Sequence, residues 1–292
     1  MIKIVTDIRG MQEQCDTLRK KGKTLVLIPT MGYLHDGHLS LIREGRKRGD
    51  FLVVSIFVNP TQFGPREDFK AYPRDLKRDV ELIKPEKVDA VFYPDAQEIY
   101  GHGFQTSVRL SKLPKYLCGR SRPIHFTGVA TIVAKLFNIV RPHVALFGQK
   151  DFQQLLVIRQ MVKDLNFDIE IVGVPTVREP EGLAMSSRNA YLTAEQRPAA
   201  QSLFQSLEEA KKQVLSGETD AAKIIQSASE RIRAYMEAVI DYIIVCDPET
   251  LEPMEHITKP ALMALAVKIG NTRLIDNMML SPESGADPNP GR

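Results

Sequence analysis

The chain has 292 residues, of which 43% are hydrophobic and 26% are charged, and its 39 Lys and Arg against 36 Asp and Glu give a formal net charge of +3. These values are typical of a folded globular protein and argue against a disordered, collagen-like or coiled-coil chain. A charge this small also argues against a nucleic-acid-binding or membrane-surface protein, because those carry larger and clustered basic charge. The length predicts about two domains.

Cysteine spacing and hydropathy indicate the compartment. Cys15, Cys118 and Cys246 are far apart and form no C-x-x-C pair, so we expect reduced, buried thiols in a cytoplasmic chain and neither a disulfide framework nor a zinc site. The first residues lack the apolar core of a signal peptide. The apolar runs 51–58 and 261–267 are far shorter than the roughly 20 residues that a membrane helix needs. We therefore expect neither secretion nor membrane insertion.

Strand and helix patterns alternate along the first two-thirds of the chain. Short apolar runs predict strands at 24–28, 51–58, 88–93, 143–147 and 169–174. Helical spacing of apolar residues predicts helices at 38–50, 129–140 and 151–165. We expect the first strand to end at Pro29 and the helix at 129–140 to bury one amphipathic stripe. This alternation predicts an α/β fold with a doubly wound, Rossmann-like parallel sheet.

The pattern changes near residue 180. A polar connector at 178–193 is followed by two helical patterns and then by β-like runs. The helices are expected at 195–215 and 219–238, with Asp220 as the N-cap of the second, and the β-like runs lie at 239–246, 261–269 and 272–276. We therefore predict a first domain at 1–178, a smaller α+β domain at 179–280 and a disordered Pro- and Gly-rich tail at 281–292.

The segment 29-PTMGYLHDGH-38 lies between a predicted strand and a predicted helix and contains His35-x-Gly37-His38. Parallel sheets bind ligands at the carboxyl ends of their strands, and a helix that begins near His38 would direct free N–H groups at a phosphate. Two imidazoles there could donate hydrogen bonds to phosphoryl oxygens. The alternatives are a surface turn with solvated histidines or a weak metal pair. The absence of a Walker A motif and of G-x-G-x-x-G argues against a P-loop or dinucleotide site.

The segment 148-GQKDFQQ-154 also follows a predicted strand. Lys150 can supply charge to a polyphosphate, and Asp151 can accept hydrogen bonds from ribose hydroxyls. Gln154 follows Lys150 by one helical turn and would share its face. The alternative is that Asp151 only caps its own helix.

The segment 185-MSSRN-189 lies in the connector. The hydroxyls of Ser186 and Ser187 and the guanidinium of Arg188 suit phosphate oxygens. The alternative is a plain linker, because Ser- and Asn-rich stretches usually are linkers.

The segment 59-NPTQFG-64 follows the strand predicted at 51–58. Asn59 and Gln62 could orient a small polar substrate. The alternative is a tight turn with solvated amides.

In these four segments, and in 71-AYPR-74 and 126-FTGVATIV-133, the chain resembles the pantoate–β-alanine ligases, a family of the H-x-G-H nucleotidyltransferase superfamily. The resemblance implies that pantoate attacks the α-phosphorus of ATP to give pantoyl adenylate and pyrophosphate. The amine of β-alanine then attacks the acyl carbon and releases pantothenate and AMP. It also implies Mg²⁺ held mainly through the ATP phosphates, with no protein metal site assigned, and a cytoplasmic homodimer.

The resemblance also implies roles for particular residues. His38 would be the general acid, His35 would stabilise the α-phosphate and Lys150 would bind the phosphates during catalysis. The residues implied to bind ATP are Met31, Gly32, His35, His38, Gly148, Gln149, Lys150, Asp151, Val177, Met185, Ser186, Ser187 and Arg188. The residues implied to bind pantoate or β-alanine are Gln62, Gln154, Asn59 and Tyr72. Asp79 is a candidate supporting residue.

The physical chemistry of this reaction agrees with these residue types. Joining two anions requires neutralisation by Lys150, Arg188 and Mg²⁺, and a reactive adenylate must be kept from water, for which the second domain is the predicted lid. One rival is a nucleotidyltransferase that moves AMP or CMP onto a phosphorylated metabolite, but it leaves 59–64 together with 148–154 unexplained. Another is a non-catalytic nucleotide-binding or metal-sensing module. A metal sensor has no use for Lys150 and the Ser-Ser-Arg segment.

Overall fold

The computed structural model describes residues 2–65 and 67–282, which form two compact units. The first unit comprises the residues up to Ser111 together with Arg122–Gln149 and Gln154–Pro175, and the second comprises Lys112–Ser121, Lys150–Gln153 and the residues from Thr176 onward. The predicted domain boundary at residue 178 stays a prediction. From residue 283 onward, the predicted disordered tail lies outside the described residues.

The first unit contains a six-stranded parallel sheet. Its strands are β1 (Lys3–Val5), β2 (Leu25–Thr30), β3 (Phe51–Ile56), β4 (Ala90–Phe92), β5 (Val144–Gly148) and β6 (Glu170–Val174), in the order β1-β4-β3-β2-β5-β6. The residues at 25–28 are fully buried, because helices cover both faces of a parallel sheet. The predicted α/β, doubly wound sheet is confirmed. Strand order reverses between β2 and β5, and ligands bind at such a point in this class of fold.

Helices surround this sheet. The helices that precede residue 165 are α1 (Ile8–Lys20), α2 (Asp36–Arg46), α3 (Leu76–Ile83), α4 (Ala96–Ile99), α5 (Cys118–Ser121), α6 (His125–Val140) and α7 (Phe152–Asp164). Helix α5 belongs to the second unit. On one face of the sheet, Leu39 and Ile42 of α2 pack with Val26 and Ile28 of β2 in a buried cluster. This packing places the amino end of α2 beside the carboxyl end of β2.

Strand β2 continues through Pro29 to Thr30, so the prediction that Pro29 ends it was wrong. Pro29 is opposite Ser55 of β3, whereas the pairing of β2 with β5 ends at Leu27. Proline lacks only the N–H donor. It is tolerated here because β5 does not pair with β2 at that position.

Helix α6 begins at His125 and is buried on nearly all sides. The expected stripe at Val129, Leu136 and Val140 is buried, but Ala130 and Thr131, which lie off that stripe, are buried as well. The predicted stripe is therefore buried, and burial also extends to other sides of the helix. The helix contacts β2, α1 and the 3₁₀ helix at Pro60–Gln62, so several sides of it face protein.

The second unit has a three-stranded antiparallel sheet and two long helices. Its elements are α8 (Arg197–Leu215), α9 (Ala221–Arg233), β7 (Ala238–Cys246), β8 (Ala261–Ile269) and β9 (Thr272–Leu280), with the strands in the order β7-β8-β9. The predicted smaller α+β domain is confirmed. The Asp220 carboxylate accepts from the N–H groups of Ala222 and Lys223 at 2.9 and 3.3 Å, which confirms the predicted N-cap. Strand β9 continues beyond the predicted end at residue 276.

All three cysteines are free and buried, as predicted. Burial raises the pKa of the Cys15 and Cys246 thiols to about 12, so both stay protonated and unreactive at neutral pH. Within the described residues, no helix combines the length and apolar character needed to cross a membrane.

Replacing Asp247 is expected to change the acid stability of the second unit. Its carboxylate accepts from Lys259 Nζ at 2.6 Å and from the N–H groups of Glu249 and Thr250. These contacts, the Lys259 hydrogen bond first, lower its pKa to about 2, below the ~3.9 of an unfolded Asp. The ionised carboxylate therefore stabilises the fold above pH ~4, and this contribution is lost as the pH falls toward 2.

Asp247→Asn should therefore lower the free energy of unfolding at pH 6, and the difference from wild type should vanish near pH 2. Urea unfolding of the variant and of wild type at several pH values measures the difference at pH 6 and its disappearance near pH 2. A difference that stays constant over this pH range would contradict the expectation.

Candidate active site

His35 and His38 stabilise the amino end of α2 with their rings. Helix α2 begins at Asp36, and His35 is its N-cap with extended backbone. The His35 Nδ1 atom accepts from the Gly37 N–H at 3.2 Å, and the His38 Nδ1 atom accepts from the His35 N–H at 3.2 Å. The two rings lie 4.1 Å apart between centroids. Helix α2 therefore begins at Asp36 and not near His38, and the N–H groups of Gly37 and His38 already have partners in His35.

This arrangement determines which nitrogen of each ring can donate. In a neutral imidazole one nitrogen carries the proton and the other accepts. Because Nδ1 accepts a backbone hydrogen bond in both His35 and His38, the proton is on Nε2 in both. Both rings are only half-exposed, so the alternative of freely solvated histidines was wrong. Each ring can present an Nε2–H donor to an anionic oxygen.

The loop between β2 and α2 is held by Asp79 of α3. Its buried carboxylate accepts from the Tyr33 and Leu34 N–H groups at 2.7 and 2.8 Å. Burial raises the pKa of Asp79, although these hydrogen bonds oppose the shift. Gly32 has φ +82°, and a Cβ there would lie 2.9 Å from the Ile56 side chain and 3.1 Å from the Asp79 carboxylate. The loop therefore needs both glycine and Asp79 for its shape.

Asn59 orients the side chain of Gln62 at the end of β3. Asn59 Nδ2 donates to Gln62 Oε1 and to the Gly128 carbonyl, both at 3.1 Å, while its Oδ1 accepts from Thr61. Gln62 Nε2 then points to Met31 Sδ at 3.1 Å. Asn59 is 1% and Gln62 7% exposed, so the alternative of solvated amides was wrong. The donor end of the Gln62 amide is the end available to a substrate.

Sequence reasoning missed residues that support Gln62. The Tyr100 hydroxyl donates to Asn59 Oδ1 at 2.6 Å. The Gln62 carbonyl lies 3.4 Å from an Arg122 guanidinium nitrogen and 3.0 Å from His125 Nδ1. None of these supporting residues lies in a segment that the sequence analysis singled out, although His125 immediately precedes 126-FTGVATIV-133. The others lie far apart in the sequence.

Tyr72 and Gln154 were also predicted to touch substrate. Tyr72 is buried, and its ring lies 6.1 Å from that of Phe63 in an edge-on contact. Gln154 is half-buried on α7 in the first unit. Lys150, with which Gln154 was expected to share a helical face, is assigned to the second unit. The roles of Tyr72 and Gln154 stay predictions.

The segment after β5 begins with a 3₁₀ helix at Gln149–Asp151, and α7 starts at Phe152. The helix predicted from residue 151 therefore starts one residue later. Lys150 Nζ lies 3.8 Å from the Asp151 carboxylate, and the Lys150 side chain is 18% exposed. The Lys150 backbone carbonyl accepts from Asn277 Nδ2 at 2.8 Å.

The predicted phosphate-binding segment in the connector is ordered and partly buried. Met185 N–H donates to the Val177 carbonyl at 3.0 Å, and Arg178 pairs with Ala184 in an antiparallel bridge. Ser186 is the N-cap of a 3₁₀ helix at Ser187–Tyr191 and accepts from the Arg188 N–H. Ser187 is buried. The segment is therefore structured, and its phosphate-binding role stays a prediction.

The predicted residues fall into two groups. Most of those of the first unit lie after strands whose carboxyl ends share one edge of the parallel sheet; they are Met31, Gly32, His35 and His38 after β2, Asn59 and Gln62 after β3, and Gly148 and Gln149 at the end of β5. Tyr72 and Gln154 also belong to the first unit, Tyr72 before α3 and Gln154 within α7. Those of the second unit are Lys150, Asp151, Val177, Met185, Ser186, Ser187 and Arg188. Across residues 2–65 and 67–282, no three His, Cys, Asp or Glu side chains are grouped to hold a metal ion.

Comparison with known proteins identifies the family. The model of the family described as pantoate-beta-alanine ligase matches residues 3–279. A pantothenate synthetase of Desulfatibacillum aliphaticivorans is 59% identical over 281 residues, which are 96% of this chain and all of that relative. One from Geobacter sulfurreducens is 55% identical over 97% of this chain and all of that relative.

Solved structures agree with these relatives. A pantothenate synthetase from Thermus thermophilus superposes with a TM-score of 0.91 at 43% identity, covering 95% of this chain and 99% of that one. One from Francisella tularensis, complexed with beta-gamma ATP and beta-alanine, superposes with a TM-score of 0.79 at 32% identity, covering 98% and 99%. The chain therefore belongs to the pantoate-beta-alanine ligase family, as its motifs predict.

Proposed function

We propose that this chain uses ATP to join pantoate to β-alanine through pantoyl adenylate. The observation that carries the proposal is the mutual capping of His35 and His38, which places an Nε2–H donor on each ring beside the point where strand order reverses. The relative from Francisella tularensis that is complexed with beta-gamma ATP and beta-alanine supports both ligands.

In the first step, a pantoate carboxylate oxygen bonds to the α-phosphorus of ATP. The bond from that phosphorus to the bridging oxygen breaks, and pyrophosphate leaves with the electron pair. His35 donates to an α-phosphate oxygen on which charge develops, and His38 donates to the departing group as general acid. Donors fixed before the reaction stabilise such charge without reorganising, and backbone contacts already hold both rings.

Gln62 binds pantoate through its Nε2–H. Asn59 uses both amide hydrogens within the protein, on Gln62 Oε1 and the Gly128 carbonyl. We therefore assign Asn59 an orienting role and Gln62 the contact with substrate. Gln154 and Tyr72 complete the proposed set for pantoate and β-alanine.

The remaining predicted residues bind ATP. Gly148, Gln149 and Asp151 hold the ribose region and Met31, Gly32 and Val177 line the nucleotide. Lys150 and Met185–Arg188 hold the phosphates, where a Lys ammonium and an Arg fork suit phosphate oxygens. Mg²⁺ arrives on the ATP phosphates, because it dehydrates reluctantly and is usually shared between phosphates, waters and few protein groups.

In the second step, the β-alanine amine bonds to the acyl carbon of pantoyl adenylate. The bond from that carbon to the phosphate oxygen breaks, AMP leaves, and the amine loses a proton to give the amide of pantothenate.

We also propose that the protein works in the cytoplasm as a homodimer. Sedimentation equilibrium of the full chain tests the homodimer, because a single species with the mass of a monomer would exclude a dimer.

Product identification tests the reaction. The full chain is incubated with ATP, Mg²⁺, pantoate and β-alanine, and the nucleotide products are separated. We expect AMP and pyrophosphate only when pantoate is present, and pantothenate only when β-alanine is added. No turnover with pantoate, or transfer of AMP to a phosphorylated metabolite instead, would overturn the proposal.

Replacing Gly148 with alanine tests whether ATP approaches this residue, because the added methyl group should affect ATP binding without affecting stability. A Cβ on Gly148 would meet no described atom within 4 Å, and the residue ends strand β5. Gly148→Ala should therefore leave the urea midpoint unchanged but raise the KM for ATP at least about fivefold, because the methyl occupies the proposed ribose position. An unchanged KM for ATP would show that the nucleotide does not approach Gly148.

A further inference from the structure

Two adjacent residues of strand β9, Asp276 and Asn277, make polar contacts that the proposed chemistry does not use. Asp276 is 3% exposed. Its carboxylate accepts from both terminal nitrogens of Arg178, at 2.6 and 3.0 Å. Such a bidentate pair fixes direction as well as distance. Asp276 therefore determines where the Arg178 guanidinium lies.

Arg178 in turn holds the turn that leads to the proposed phosphate-binding segment Met185–Arg188. The same guanidinium donates to the Gly182 carbonyl at 3.0 Å and lies 4.4 Å above the Phe204 ring. The backbone of Arg178 pairs with Ala184, the residue immediately before that segment. A shift of Arg178 would therefore move Met185 and the residues that follow it.

The far side of the segment is held by Asn189. Its Nδ2 donates to Glu179 Oε1 at 2.8 Å and to the Ala184 carbonyl at 3.1 Å. Glu179 also accepts from Arg197 of α8 at 2.6 Å. The segment is thus anchored at both ends, with Asp276 at the buried end of the network.

Asn277 holds the second proposed phosphate-binding group. Its Nδ2 donates to the Lys150 carbonyl at 2.8 Å. Successive side chains of a strand point to opposite faces of the sheet, so neighbours at 276 and 277 can reach two different segments. Strand β9 is at the edge of its sheet and pairs with β8 without a register shift.

We propose that Asp276 and Asn277 are positioning residues for the ATP phosphates, with Asn277 fixing the backbone at Lys150 and Asp276 fixing Arg178 and the turn before Met185–Arg188. This rests on the proposed function of those two segments. A single strand thereby sets the spacing between a Lys and a Ser-Ser-Arg segment that are distant in the sequence.

The energetics of the ion pair favour a geometric role. Burial raises the pKa of Asp276 in spite of the two hydrogen bonds from Arg178, so desolvation outweighs the attraction. Buried ion pairs often add little to stability relative to apolar side chains of similar volume. What the pair of Asp276 and Arg178 supplies is a defined position for the turn.

Binding measurements on the full chain test the proposal. Calorimetry compares the affinities of Asp276→Asn and Asn277→Ala for ATP with their affinities for adenosine. The Asp276→Asn substitution keeps the shape of the side chain, but the amide cannot accept from both nitrogens of Arg178. The Asn277→Ala substitution removes the donor to the Lys150 carbonyl. We expect each variant to bind ATP at least about fivefold more weakly and to bind adenosine within twofold of wild type.

Asp247→Asn is the matched control, because it breaks an ion pair of the same unit at Lys259 and leaves residues 178–189 and Lys150 untouched. It should not change the ratio of the two affinities. If Asp276→Asn fails to fold, the test rests on Asn277→Ala alone, because Asn277 is only half-buried. The proposal is overturned if the variants bind ATP and adenosine equally more weakly than wild type, or if they bind ATP as tightly as wild type. Wild-type turnover is measured alongside, so that a chain that forms no AMP with pantoate refutes the proposed function instead.

Discussion

His38→Ala is expected to slow AMP formation at least ~100-fold, the usual contribution of a positioned acid or hydrogen-bond donor. The substitution removes the Nε2–H that is proposed to face the departing pyrophosphate. It also removes the acceptor for the His35 N–H, which should lower stability by about 0.5–2 kcal/mol. Single-turnover formation of AMP and urea unfolding measure the two effects separately.

His38→Asn separates the two roles of the ring. The Asn Oδ1 stands close to the position of Nδ1 and can still accept from the His35 N–H, but no donor reaches the position of Nε2. We expect the urea midpoint of this variant to return toward wild type while the rate stays as low as in His38→Ala. Recovery of the rate in His38→Asn would mean that the ring acts by capping the helix, and wild-type turnover in His38→Ala would reject the catalytic role altogether.

Gly128→Ala is expected to destabilise the first unit and to weaken pantoate binding. A Cβ at this position of α6 would lie 2.5 Å from the Thr61 carbonyl oxygen and 2.6 Å from the Gln62 nitrogen. Both are backbone atoms, so the helix or the segment at 59–62 must move. Overpacking of this kind costs roughly 1–3 kcal/mol. Because Gly128 O also accepts from Asn59, the displaced segment should raise the KM for pantoate and leave that for ATP nearly unchanged.

Gly45→Ala is the control for crowding. A Cβ there would meet methyl groups of Leu52 and Ile28 at 3.1 and 3.2 Å, which can shift, and it would not touch Gln62. Urea unfolding should show a smaller loss of unfolding free energy than for Gly128→Ala. Steady-state kinetics should show an unchanged KM for pantoate. If both variants raised that KM equally, the effect would come from general destabilisation, not from the position of Gln62.

Several elements could be predicted because their signals are local. Strands β2, β3 and β5 are apolar runs, as strands covered on both faces must be, and Asp220 precedes α9 as an N-cap should. The H-x-G-H segment could be placed at the end of a strand because it closely follows the apolar run of β2. Strand β1 has only three residues, too few to show a period. Helix α1 was missed although Asp7 caps it and Met11 and Cys15 face the core.

The sequence by itself determined the fold class, the family and which segments follow the carboxyl ends of strands, because hydropathy periods and contiguous motifs are properties of neighbouring residues. Only the tertiary structure decided how the site residues are held. Tyr100 reaches Asn59 across 41 positions and Arg178 reaches Asp276 across 98. Contacts of that span form when separate elements pack together, so no local pattern reports them. The same packing directed the donor end of Gln62 away from Asn59, because Gly128 and Tyr100 orient the Asn59 amide.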